Sequence, residues 1–167
     1  MSEGMGLTNR WYVLCCKPHK EQVVLQRLQH MGLETYFPCS RSQNGRTGKL
    51  ELRPYFPGYL FVRADLDAVG LSTFQWMPHT EGLVCFETRP AYVPDHLLLA
   101  VRRHVNDTSL SVPSHHQGNS DGTRTLGSDL KDYDTFLNIN LTSGERVNGL
   151  LKMLEDLSIP PASSMQI

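Results

Sequence analysis

The sequence lacks several features that would define its class at once. No apolar run in the 167 residues reaches the roughly 18 residues that a membrane-spanning helix needs. The stretch MSEGMGLTNR has no basic segment followed by an apolar one, so we expect no secretory signal and a cytoplasmic protein without a membrane partner. The four cysteines form no CxxC pair. Cys15 and Cys16 are adjacent in an apolar run, which is typical of reduced, packed thiols.

Patterns that indicate catalysis or metal binding are also missing. The sequence contains no recognisable nucleophile–base arrangement, phosphate loop or paired-carboxylate motif. Its seven histidines are scattered, and the tandem His115-His116 has no companion ligand, so a solvated loop is favoured over a metal site. We therefore expect a protein that is not an enzyme and carries neither a cofactor nor a metal.

The chain as a whole has almost no excess of either charge, because its formal net charge is only −1. The two parts of the chain nevertheless differ. Residues 1–105 hold 12 Lys/Arg and 9 Asp/Glu (12 − 9 = +3), and residues 106–167 hold 4 and 8 (4 − 8 = −4). This asymmetry predicts a mildly basic unit and an acidic one. It falls short of the basic bias of a dedicated nucleic-acid-binding domain.

Hydrophobic periodicity predicts an α+β fold for the basic unit, residues 10–105. The predicted order is strand 11–16, helix 17–32, strand 33–38, strand 49–56, strand 58–64, helix 65–76, strand 82–87 and helix 95–105. Asn44-Gly45 marks a tight turn between two of the strands. The order favours an antiparallel or mixed four-stranded sheet flanked by helices.

The strand GYLFVRA (58–64) has two chemically different faces. With a period of two, one face carries Leu60, Val62 and Ala64, and the other carries Tyr59, Phe61 and Arg63. The aliphatic face suits a core packed with helices. The aromatic face, which ends in a cation, suits either core packing or a surface that binds a large partner.

The acidic part divides into a linker and a small C-terminal region. Residues 106–121 are rich in Ser and contain few large apolar residues, which predicts a flexible linker. In residues 122–167, DYDTFLNINL alternates like a strand. The later run ERVNGLLKMLEDL places Val147, Leu150, Leu151, Leu154 and Leu157 at helical spacing. The pattern leaves the structure of this region open.

Three stretches together resemble the NusG family of transcription elongation factors. They are WYVL (11–14), PYFPGYLFV (54–62) and WMPHTEGLV (76–84), with a helix and a basic turn between the first two. The resemblance covers residues 10–105 and implies the fold of the NusG N-terminal domain.

The resemblance implies binding to RNA polymerase rather than catalysis. In this family the N-terminal domain docks on the clamp helices of RNA polymerase and favours processive elongation. Carried onto this chain, the binding residues are Tyr59, Phe61, Phe86, Leu98 and Val101. Ser72 and Thr73 stand where relatives contact the opposite side of the polymerase. Packing of the domain is the alternative role for the apolar residues, and a helix cap is the alternative for the two hydroxyls.

Nucleic acid is a further candidate partner, as non-template DNA or nascent RNA. The candidate contacts are Lys17, His19, Lys20, Arg41, Arg46 and Lys49, because cations near phosphates add salt-dependent affinity. In relatives that read a DNA element, a cation precedes the glycine of the T-x-G motif. Glu81 occupies that position here and would repel a phosphate, so a solvated basic face is the alternative.

Residues 122–167 resemble a degenerate KOW-type C-terminal domain of the specialised RfaH-like branch. Gly127-Ser128-Asp129 replaces the usual turn of that domain. The resemblance implies either a small β-barrel or a helical hairpin, with the ribosome as a candidate partner. In that branch a helical hairpin covers the polymerase-binding face, and the helical spacing and opposite charges suggest the same arrangement here. A stand-alone RNA- or ribosome-binding module and a decayed paralogue are the competing interpretations.

Overall fold

The fold is that of a computed structural model, which describes residues 9–110, 133–138 and 140–158. The strands are β1 (Asn9–Cys16), β2 (Glu34–Tyr36), β3 (Cys39–Gln43), β4 (Leu50–Pro54), β5 (Tyr59–Asp65), β6 (Thr80–Leu83), β7 (Cys85–Phe86), β8 (Arg89–Pro90) and β9 (Tyr92–Val93). The helices are α1 (Glu21–His30), α2 (Leu66–Val69), α3 (Leu71–Gln75), α4 (Asp95–Leu110), α5 (Asp134–Leu137) and α6 (Ser143–Ser158). Within these ranges, no helix has the length and apolar character needed to cross a membrane.

An antiparallel sheet lies at the centre, in the order β2-β5-β1-β6, and β9 pairs with β1. The predicted α+β class is confirmed. The sheet was predicted to have four strands, and the short β9 adds a fifth. Strand β1 is central because its middle residues are apolar on both faces, and Trp11 through Leu14 are buried. Val13 lies opposite Phe61 in the register between β1 and β5.

Alternation along β1 and β5 separates two apolar cores on the two faces of the sheet. The aliphatic core contains Tyr12, Leu14, Cys16, Val24, Leu28, Leu60, Val62, Ala64, Phe74, Met77 and Leu83. The aromatic core contains Trp11, Val13, Tyr55, Phe56, Phe61, Ala91, Val93, Leu97, Leu98, Ala100, Val101, Val105, Phe136, Leu137, Leu150 and Leu154. Helices α1 and α3 therefore cover one face of the sheet, and α4, α5 and α6 contribute to the other.

The turn before β5 is held by its own set of hydrogen bonds. The backbone N–H of Gly58 donates to Oε1 of the buried Glu21 at 2.9 Å, and the N–H of Cys16 donates to the carbonyl of Gly58 at 2.7 Å. Gly58 has a φ of +82°, and a Cβ there would lie 3.5 Å from the Cys16 carbonyl oxygen. These contacts fix where β5 begins and so position Tyr59.

Strands β3 and β4 form a separate hairpin. Its turn is closed by Asn44, whose Oδ1 accepts from the N–H of Arg46 at 2.9 Å, as the Asn-Gly signal predicted. The half-exposed strand predicted over 49–56 is shorter, and its leucines do not reach a core. Leu50 and Leu52 are 63% and 70% exposed because this hairpin lies outside the central sheet.

The helix predicted over 65–76 is interrupted at Gly70. This glycine has a φ of +82°, so the chain forms α2 and α3 rather than one helix. Asp65 precedes α2, and its Oδ1 accepts from the N–H of Asp67 at 3.0 Å, as an N-cap does.

Helix α4 continues to Leu110, five residues past its predicted end at 105. Residues 106–110 of the predicted linker are therefore helical, since the first proline after the helix is Pro113. The rest of the linker, His115-His116 and the turn at 127–129 lie outside the described residues.

In the described C-terminal residues the regular elements are the helices α5 and α6, and none of the described residues of DYDTFLNINL lies in a strand, so its alternation was a wrong guide. Phe136 and Leu137 lie together in α5, and both pack into the aromatic core. A capping box starts α6: Thr142 N–H and Oγ1 each donate to Glu145 Oε2 at 2.7 Å, and Glu145 N–H donates to Thr142 Oγ1 at 3.3 Å. The helical spacing of residues 147–157 was the better guide, because local hydrogen bonding and apolar periodicity agree there.

Candidate protein-binding face

The aromatic face of β5 is buried in the aromatic core. Phe61 is fully buried, and Tyr59 is half-buried and packs against the same core. The ring of Phe61 stacks on Tyr36, with centroids 6.0 Å apart, and meets Phe56 edge to face at 6.1 Å. Such ring pairs are favourable beyond the burial of their area. Rings from three strand regions thus converge on one side of the sheet.

The sequence-predicted polymerase contacts on α4 and β7 lie at this same face. Leu98 and Val101 are buried in the aromatic core, and the half-buried Phe86 packs against it. Leu98 and Val101 are three positions apart, so one side of α4 presents both. The structure therefore brings together five of the seven residues predicted to bind polymerase.

Ser72 and Thr73 lie elsewhere, on the short helix α3 beside the aliphatic core. The hydroxyl of Thr73 donates to the carbonyl of Val69 at 2.7 Å, and Ser72 is exposed. Neither side chain caps the N-terminus of α3, but the Thr73 hydroxyl bonds to the last carbonyl of α2, so the helix-end alternative fits Thr73. These two hydroxyls do not form one surface with the aromatic residues.

Helices α5 and α6 complete the aromatic core. Phe136, Leu137, Leu150 and Leu154 are each no more than 5% exposed and belong to the same cluster as Phe61. The rings of Phe136 and Phe56 are 6.2 Å apart, which gives a direct contact between α5 and the segment before β5. The C-terminal helices consequently cover the face on which the predicted binding residues lie.

Tyr55 forms a polar connection between the segment before β5 and the C-terminal helices α5 and α6. Its hydroxyl donates to the carbonyl of Leu137 at 3.2 Å, and the guanidinium of Arg146 lies 4.2 Å over its ring. Burial raises the pKa of Tyr55, and Arg146 opposes that rise, so the hydroxyl remains a protonated donor at neutral pH. Sequence reasoning missed Tyr55 and Arg146, because no pattern in the sequence links residues so far apart.

The thiol of Cys15 lies beside this face, opposite Tyr59 in the register between β1 and β5. It donates to Oε2 of Glu81 at 3.4 Å. Burial and the Glu81 carboxylate raise the pKa of Cys15 to about 11, and burial raises that of Cys16 to about 12. Both thiols are therefore protonated at neutral pH and poor nucleophiles.

The six basic candidates for nucleic-acid contact are exposed and lie in two separate segments. Lys17, His19 and Lys20 connect β1 to α1, while Arg41, Arg46 and Lys49 belong to the β3–β4 hairpin. The first loop is joined to the segment before β6, since the N–H of Lys17 donates to the carbonyl of His79 at 3.0 Å. That segment begins at Trp76, which is 79% exposed. Sequence reasoning used Trp76 only as part of a motif.

A family model described as "Transcription termination factor nusG" matches residues 9–102, more than half of the chain, and the chain belongs to the NusG family. A solved structure titled "Domain interaction in Thermotoga maritima NusG" is similar at 19% identity and a TM-score of 0.44. The similarity covers 57% of this chain and 56% of the Thermotoga chain. A search among curated proteins gave no match.

Proposed function

We propose that this protein is a transcription elongation factor that binds the clamp helices of RNA polymerase through its aromatic face. The observation that carries the proposal is the convergence of Tyr59, Phe61, Phe86, Leu98 and Val101 on one side of the sheet. Family membership supports polymerase as the partner. A bound clamp favours processive elongation, and no covalent chemistry by this chain is required.

The chemistry of the face suits an apolar helix pair. Large rings in a well-packed groove dominate protein interfaces, and each typically contributes on the order of 2 kcal/mol when it is truncated. Tyr59 is the residue best placed for this role, because it is half-buried at the margin of the cluster rather than at its centre.

The C-terminal helices make the proposed face unavailable in this conformation. Phe136, Leu150 and Leu154 pack in the same cluster as the apolar side chains that a clamp helix would contact. Under this proposal, binding requires displacement of α5 and α6, and the chain is a member of the RfaH-like branch. The opposite net charges of the two parts of the chain favour the covered state.

The test is a titration of core RNA polymerase with three full-length proteins. They are the unmodified chain, a double variant Leu150→Asp/Leu154→Asp, and the control Leu157→Asp, which is 47% exposed on the same helix. Carboxylates at the two buried positions disfavour packing of α6, so the double variant should bind at least tenfold tighter than the control. Equal affinities would overturn masking by α6.

A fourth protein tests the face itself. Tyr59→Ala added to the double variant should weaken binding at least tenfold, which corresponds to about 1.4 kcal/mol. Binding that survives this change would remove Tyr59 from the interface. If none of the four proteins binds polymerase, the proposed function is wrong.

Contact with non-template DNA or nascent RNA is a second candidate function. It is favoured by the exposure of all six basic residues and of Trp76, which begins the segment that the Lys17 backbone joins at His79. An exposed ring can stack on an unpaired base, and exposed cations can contact its phosphates.

A further inference from the structure

Two arginines share one carboxylate at the edge of the central sheet. Arg63 lies at the C-terminal part of β5, Arg102 lies on α4, and Glu34 starts the neighbouring strand β2. Arg63 Nη1 is 3.3 Å from Glu34 Oε2, and Arg102 Nη2 is 4.0 Å from Glu34 Oε1. Each oxygen of Glu34 therefore faces a different guanidinium.

The hydrogen-bonding capacity of this cluster is unbalanced. Two guanidinium groups carry ten N–H donors and two positive charges, and one carboxylate offers a single negative charge. The Nε atoms of Arg63 and Arg102 are buried and have no hydrogen-bond partner among the described residues. Buried donors in folded proteins are nearly always paired, so the two arginines have more donor capacity than Glu34 satisfies.

Aromatic rings hold Arg102 in place. Its guanidinium carbon lies 4.8 Å from the centroid of Tyr36 and 5.4 Å from that of Trp11. Stacking of this kind orients the planar group while its edge stays available for a bidentate acceptor. The side chains of Arg63 and Arg102 are 38% and 37% exposed, so an acceptor can reach their terminal Nη groups, while the Nε atoms stay buried.

We propose that Arg63 and Arg102 form a carboxylate-binding site for an acidic side chain of the protein that occupies the aromatic face. The site is continuous with that face, since Tyr36 contacts both Arg102 and Phe61. Arg102 also follows Val101 and lies one turn beyond Leu98 on α4. The inference rests on the proposed function, which makes RNA polymerase the source of the carboxylate.

The experiment measures binding of core RNA polymerase, free of nucleic acid, to full-length protein carrying Leu150→Asp/Leu154→Asp. Into this background go Arg63→Gln, Arg102→Gln, Arg102→Lys and the control Arg103→Gln, which removes an exposed charge from the same helix. Affinity is measured over a series of salt concentrations. Unfolding curves of each variant separate lost contacts from lost folding.

The two glutamine variants at the site should bind about five- to tenfold more weakly than Arg103→Gln and should show a smaller loss of affinity with salt. Arg102→Lys keeps the charge without the planar fork and should fall between them. Equal binding by Arg102→Gln and Arg103→Gln would overturn the site while leaving polymerase binding intact. A deficit seen only when DNA is added would assign the arginines to a phosphate and also overturn the proposal. If the background protein binds no polymerase, both this inference and the proposed function fail.

Discussion

The hydroxyl of Tyr55 and the carbonyl of Leu137 are joined by a 3.2 Å hydrogen bond although 82 positions separate the residues in sequence. Tyr55 belongs to the segment that leads into β5, and Leu137 ends α5. This bond and the Arg146–Tyr55 stack give the docking of the C-terminal helices a polar component in addition to apolar burial.

Replacing Tyr55 with Phe should loosen α5 and α6 without unfolding the sheet. The change removes the donor and leaves the buried Leu137 carbonyl without this partner, which typically costs about 1 kcal/mol or somewhat more. Hydrogen exchange of amides in α6 should become about five- to tenfold faster, while amides in β1 keep their protection. Tyr92→Phe, at a 40% exposed position, is the control. Equal exchange rates in the two variants would exclude a role for this bond.

Two leucines on α6 should differ sharply in their effect on stability. Leu154 is fully buried and Leu157 is 47% exposed. Leu154→Ala should lower the free energy of unfolding of the docked state by about 2–5 kcal/mol, because it removes apolar contacts and leaves a cavity. Leu157→Ala should change it by less than about 0.5 kcal/mol. Urea unfolding followed by the helical circular dichroism signal measures both, and similar losses would contradict the packing of α6.

The start of α6 should weaken in acid. Hydrogen bonds from the backbone and side chain of Thr142 lower the pKa of Glu145 below its ordinary 4.5. A lowered pKa in the folded state means that stabilisation by this carboxylate is complete above pH 4.5 and is lost as the pH falls through the lowered value. The difference in helicity between the unmodified protein and Glu145→Gln should therefore shrink below pH 4.5. A difference that stays constant from pH 6 to pH 3 would exclude this linkage.

Trp76 should report nucleic-acid binding by its fluorescence. Trp11 is only 4% exposed and Trp76 is 79% exposed, and the chain has no other tryptophan. Single-stranded oligothymidylate should quench the emission, with an affinity that falls as salt rises, and Trp76→Phe should abolish the quenching.

Charge removal provides the matched comparison for that measurement. Lys17→Gln should weaken oligonucleotide binding and reduce the salt slope by about one. Lys152→Gln removes an exposed charge from α6 and should have no effect. Absence of quenching at low salt would exclude the Lys17–Lys20 loop and Trp76 as a nucleic-acid contact.

The sheet could be predicted from local pattern because its signals are local. Alternation in GYLFVRA separated Leu60, Val62 and Ala64 from Tyr59 and Phe61, and the two groups do lie in different cores. The apolar run WYVLCC correctly indicated a central strand. Helical spacing in residues 147–157 correctly indicated α6 and the burial of Leu150 and Leu154, whereas Leu157, in the same predicted stripe, is 47% exposed.

The contacts of the candidate site could not be predicted, because they join distant segments. Periodicity states that β4 has a leucine face, but only topology decides that Leu50 and Leu52 lie on a peripheral hairpin. In the same way, no local pattern predicts that Tyr55 bonds to Leu137 or that the Arg102 guanidinium contacts the rings of Trp11 and Tyr36. The family resemblance named Phe61 as a contact, whereas its complete burial under α4, α5 and α6 emerges only from three-dimensional packing.

The division of the sheet into two cores has a consequence for how variants of this protein should be selected. Substitutions in the aliphatic core affect only the stability of the domain. Each ring in the aromatic core, under the proposed function, must satisfy two competing neighbours, its own C-terminal helices and the polymerase. A screen for thermal stability alone would therefore enrich substitutions that strengthen the packing of α5 and α6 on the aromatic face. Some of the selected variants would no longer release these helices to bind polymerase. Variants at Tyr55, Phe56 and Phe136 should therefore be ranked by melting temperature and by affinity for RNA polymerase together.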